Sequence, residues 1–113
     1  MEDVLNVGAA VHLPELPLTF NWKLDPNHSV IAAELFAILK ALEWVDYYGT
    51  PLANYAICSD SCSGLQLISQ RRPANYKDLV FRIHLLLSKK QNNGKNVKFQ
   101  WTSALCSLWY SRK

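Results

Sequence analysis

The feature that most constrains this chain is a change of hydrophobic period in its first half. Leu18, Phe20, Trp22 and Leu24 alternate with Thr19, Asn21 and Lys23, which is the period-two pattern of a half-buried strand. Just downstream, Ile31, Leu35, Ile38, Leu42 and Val45 recur at three- and four-residue steps. That spacing gathers them into one apolar stripe and predicts a helix over residues 29–47, with Ser29 as its cap. A compact run without alternation follows at Asn54–Cys58, as expected of a strand covered on both faces. A strand, a long amphipathic helix and a buried strand in this order require a layered α/β domain.

The remaining segments extend the same reading. Val7 to Leu13 is a short apolar run, and Pro14 and Pro17 in the intervening PELP turn it back on the Leu18–Leu24 strand as a hairpin. Residues 63–70 read as a short helix and residues 76–90 as a longer one, with Leu79, Ile83, Leu86 and Leu87 at helical spacing. Asn92-Asn93-Gly94 closes the longer helix, and Asn96 to Trp101 alternates again. The expected product is a mixed sheet with an antiparallel edge and a parallel interior. At 113 residues, the chain has the length of one domain, and 50% hydrophobic content excludes a disordered chain.

Charge is distributed unevenly. Residues 1–64 hold eight acids against Lys23 and Lys40, a net of −6, whereas residues 65–113 hold ten bases against Asp78, a net of +9. A basic half points to an anionic partner such as nucleic acid; the alternative is that the two halves neutralise each other in the fold. No apolar run approaches the roughly 20 residues of a membrane span. The acidic start MEDVLNVGAAVHL does not read as an export signal. Cys58, Cys62 and Cys106 lack zinc-site spacing and are expected as free thiols, without disulfides, in an intracellular (cytoplasmic or nuclear) setting. His12, His28 and His84 share no ligand spacing.

Two acids stand where chemistry is done. Glu34 falls beside the buried stripe in the first turns of the helix, and a lone carboxylate there must be solvated, paired or metal-bound. Its structural alternative is a rim residue favoured by the helix dipole. Asp60 follows the buried strand, at the end where ligands bind in open α/β sheets; its alternative is the N-cap of the next helix. If the two converge, they form an oxygen-donor site for Mg²⁺ or Mn²⁺. A pair of such ions activates water and stabilises the leaving oxygen in phosphodiester cleavage.

Four blocks together resemble the ribonuclease H domain, in the subtype found in non-LTR retrotransposon polyproteins. They are Gly8-Ala9-Ala10-Val11, the segment SVIAAELFAI from Ser29, the segment CSDSCSGL from Cys58, and GKNVKFQW ending at Trp101. The resemblance implies a five-stranded mixed sheet flanked by helices on both faces. It also implies metal-dependent endonucleolytic cleavage of the RNA strand of an RNA–DNA hybrid, with Mg²⁺ or Mn²⁺ as cofactor. Glu34 stands at the position of the second catalytic acid and Asp60 at that of the third, and both would be metal ligands. Ser61, Gln66, Arg71, Arg72 and Lys77 are the matching candidates for gripping nucleic acid.

The pattern is incomplete at both ends. The family's first strand, with its Asp-Gly-Ser segment, has no counterpart, and neither the Pro-x-His-x-Gly motif nor the final Asp follows Trp101. Two of four metal-binding carboxylates are expected, in a partial ribonuclease H-like domain over residues 1–101 with a divergent tail over 102–113, as truncation or a frameshift would produce. The missing strand is central, so its absence leaves two rows of backbone groups unpaired, each costing on the order of 1–3 kcal/mol if buried. Impaired or absent activity is the expectation. The alternatives are a non-catalytic remnant that binds nucleic acid weakly through Arg71, Arg72, Lys89, Lys90, Lys95 and Lys98, or a fragment that pairs with its parent polyprotein or a partner chain through open sheet edges.

Overall fold

β1 (Val7–Leu13) and β2 (Leu18–Leu24) pair antiparallel along their whole length, from Val7↔Leu24 to Leu13↔Leu18. The computed structural model describes residues 7–14, 18–24, 29–48, 53–70, 76–92, 94–102 and 106–112. This register puts Ala9, Val11 and Leu13 on one face together with Trp22, Phe20 and Leu18. α1 (Val30–Tyr48) starts as the sequence predicts, with the Ser29 hydroxyl accepting the Ala32 N–H at 3.1 Å. Its buried surface is wider than the predicted stripe, because Ala32, Leu39 and Ala41 join Leu35, Ile38, Leu42 and Val45. The reason is packing on more than one side: α1 contacts both β1 and α3 (Lys77–Asn92).

β3 (Ala53–Ser59), α2 (Cys62–Ser69) and β4 (Asn96–Trp101) complete the elements expected from periodicity, and β5 (Ser107–Arg112) is an addition. The five strands form one mixed sheet in the order β2-β1-β5-β3-β4. β5 therefore lies at the centre, in the position that the reading of residues 102–113 as a tail leaves vacant. It runs antiparallel to β3 over six register pairs, Ala53↔Arg112 to Cys58↔Ser107, and parallel to β1 at one, His12↔Ser107. The sheet interior is thus antiparallel at β5–β3, and the parallel pairings are β1–β5 and β3–β4. Leu108 explains the capture of this segment, since it points into the core beside Ile57 and is 1% exposed.

All three helices lie on one face of the sheet, where they touch one another and cover Val11, Leu13, Tyr55, Ile57 and Leu108. The opposite face, which carries His12, Lys98 and Trp109, has no described helix over it. This differs from the expectation of helices on both faces.

Two ion pairs among the described residues join the basic half to the acidic half. Lys89 on α3 reaches Asp46 on α1 at 3.2 Å, and Arg82 lies 3.8 Å from Glu43, which also holds Lys40 at 3.0 Å. The basic half thereby neutralises acids of the first half, and exposed pairs of this kind contribute about 0–1 kcal/mol each. Lys95 is buried, and its ammonium donates to the Val45 carbonyl at 3.1 Å, satisfying an orphan acceptor in the last turn of α1. It is therefore a cap rather than a surface cation. Cys58, Cys62 and Cys106 are free thiols, and no described helix is long and apolar enough to cross a membrane.

Candidate functional site

Glu34 and Asp60 line the same cavity. Glu34 is carried by the first turns of α1, between the buried alanines Ala33 and Ala37. Asp60 follows the last residue of β3. Both line one cavity of about 620 Å³, together with Gly8, Ala9 and Ala10 of β1, Asn21, Trp22 and Lys23 of β2, and Cys106. On the side of β1 away from β2, the one described strand pairing is the His12↔Ser107 bridge to β5.

The capping role open to Asp60 belongs to its neighbour. The Ser61 hydroxyl accepts the Gly64 N–H at 3.0 Å, and the Ser59 hydroxyl accepts the Ser61 N–H at 3.1 Å. A Cβ at position 64 would stand 2.9 Å from the Ser61 hydroxyl, so glycine there lets the cap close. Asp60 is left exposed at the cavity, free of capping duty.

Glu34 is half-buried, and its Oε2 is buried without a hydrogen-bond partner. Such an orphan is costly and calls for a cation, a water or a ligand group to offset it. A second observation ties both acids to the same neighbour, Cys106, which also lines the cavity. The Cys106 thiol is pushed up to about 12, first by burial, then by the charges of Cys58, Asp60 and Glu34. Both carboxylates thus act on one sulfur, which stays protonated at neutral pH and is no nucleophile.

Among the described residues, no three metal-binding side chains come together. Two carboxylates with an orphan oxygen still match one Mg²⁺, which keeps several waters and takes one or two protein carboxylates. They do not make the ligand set of an ion pair. Of the residues expected to grip nucleic acid, Gln66 on α2 and Lys77 at the start of α3 are exposed and outside the cavity. Ser61 is buried as a cap, and Arg71 and Arg72 lie outside the described residues. Sequence reasoning missed Lys23, Asn21 and Cys106 as cavity residues. The hairpin register held a signal for the first two, since it sets Lys23 beside Gly8 and Asn21 beside Ala10.

No protein-family profile, curated protein or solved structure matches this chain.

Proposed function

We propose that this chain is a ribonuclease H-type domain whose site is arranged for metal-dependent endonucleolytic cleavage of RNA in RNA–DNA hybrids, and whose turnover is impaired. The observation that carries the reading is the cavity shared by Glu34 and Asp60, together with the buried, unpartnered Oε2 of Glu34. These two acids would hold Mg²⁺ or Mn²⁺, which supplies Lewis-acid stabilisation of a phosphodiester's developing charge. Glu34 is fixed by α1 and presents an oxygen already stripped of water, whereas exposed Asp60 is the accessible partner. Lys23 at the cavity rim offers a cation to a phosphate. Impairment follows from the count, because a catalytic unit that lacks some of its members loses most of its rate.

The decisive experiment couples cation binding to cleavage. Mn²⁺ is expected to raise the melting temperature of the wild-type chain and to leave Asp60→Asn and Glu34→Gln unmoved. Cleavage of a labelled hybrid is expected to be weak, divalent-dependent and lost in Asp60→Asn. A wild-type chain that ignores millimolar Mn²⁺, or cleavage that survives Asp60→Asn, overturns the proposal. A second reading, favoured by the two acids that line the cavity among the described residues, is a non-catalytic remnant that binds nucleic acid or pairs with a partner chain. Cation binding with salt-sensitive hybrid binding and no cleavage selects it.

A further inference from the structure

The face of the sheet opposite the helices carries a chemically uniform surface. Strand alternation and register determine what it presents. One row runs across all five strands as Thr19, His12, Ser107, Cys58 and Gln100, and a second sets Trp109, Ala56 and Lys98 side by side on β5, β3 and β4. Asn54 and Asn96, bonded to each other at 3.2 Å, extend the face at one end, and Asn21 and Lys23 extend it at the other. Among the described residues, this face holds two lysines, one histidine and no Asp or Glu. The five acids among the described residues, Glu34, Glu43, Asp46, Asp60 and Asp78, all lie outside the strands, which biases the described part of this face toward positive potential.

Trp109 gives the face its second property. Its ring is 45% exposed, although an indole in the middle of a sheet is ordinarily covered. The ring is also held in place: the indole N–H donates to the Ser107 hydroxyl at 3.1 Å, two residues away on the same face. The neighbour across the strand is Ala56, whose methyl leaves the space beside the ring open. Lys98 stands one strand further, about 10 Å from the tryptophan position at the usual strand spacing. A fixed aromatic plane with an open side, a cation within side-chain reach and amides around it are what a stacked nucleotide needs.

We propose that this sheet face is a binding platform for single-stranded nucleic acid, with Trp109 as the stacking ring and Lys98 and Lys23 as phosphate contacts. Trp109 and Lys98 lie outside the Glu34–Asp60 cavity, Lys23 and Asn21 line its rim as well as this face, and the stacking role of Trp109 does not depend on the nuclease reading. Duplexes are poor ligands for it, because their bases are already stacked and a flat sheet cannot reach into them.

The test is fluorescence anisotropy of a labelled oligo-uridylate and a labelled oligo-thymidylate in EDTA, with a duplex of equal length as control. Binding is expected for the single strands and to be weaker for the duplex. Its logarithm should fall with the logarithm of salt with a slope of about −1.4 for two lysine contacts. Trp109→Ala is expected to weaken binding on the order of ten- to a hundred-fold, and Trp109→Phe to restore much of it. Lys98→Glu, which leaves the tryptophan intact and guards against a folding artefact, is expected to weaken binding and flatten the slope. Binding in EDTA that depends on Trp109 keeps this test apart from the cation-dependent test of the cavity. Equal binding by Trp109→Ala, or a duplex bound as well as the single strand, overturns the proposal.

Discussion

The two flanks of β5 are built differently. Towards β3 it forms six register pairs and buries Leu108 against Ile57, so backbone and core close together. Towards β1 it makes one, at His12↔Ser107, with the His12 N–H donating to the Cys106 carbonyl at 3.0 Å. Among the described residues no further β1–β5 pair follows, and Glu34, Asp60 and Cys106 line a cavity beside β1. The lesson is that the closed flank supplies stability and the open flank supplies a cavity. An acid with a buried orphan oxygen is tolerable only beside the flank where water or a cation can enter.

The comparison breaks most severely if the closed flank is damaged. Leu108→Ala removes a fully buried side chain and is expected to cost about 2–5 kcal/mol, read as the loss in a urea melt. A cost below 1 kcal/mol would mean that β5 is not integral to the core. Next in size is the contrast in hydrogen exchange. The Ile57 and Leu108 amides should exchange near the rate of global opening, and those of Gly8 and Ala10 at least a hundred-fold faster; equal protection would show both flanks closed. Cysteine chemistry should follow the same division: Cys62 alkylates at pH 8, whereas Cys58 and Cys106 resist until the chain unfolds. Mass spectrometry of the labelled peptides checks this. Smallest is Glu34→Gln, expected to stabilise the metal-free chain by up to about 1 kcal/mol by removing a charge beside Asp60. Destabilisation would show that Glu34 is satisfied by a group not yet recognised.

Local pattern revealed most of the architecture. The α1 stripe, the Ser29 cap, the hairpin alternation and the Asn96–Trp101 strand depend on contacts between near neighbours, and the structure keeps them within a residue or so. β5 was not legible for the opposite reason. Its segment SLWYSR is short, and what makes it a strand is a distant edge of β3 needing a partner, together with a core vacancy that Leu108 fills. The candidate site shows the same divide. Glu34 and Asp60 were readable from their positions on a helix and after a strand. Lys23 was readable from the hairpin register, which sets it beside Gly8, but Cys106 was not, because it reaches the cavity through the β1–β5 contact that local spacing does not encode.

The order of synthesis gives the central place of β5 a further meaning. The hairpin and the β3 segment leave the ribosome well before the strand that joins them, and β5 is the last described strand in the chain. Until it arrives, two half-sheets each hold an unsealed border, the circumstance in which nascent chains pair with the wrong neighbour. Closure of this sheet therefore waits until β5 has been made, whichever of its borders formed first.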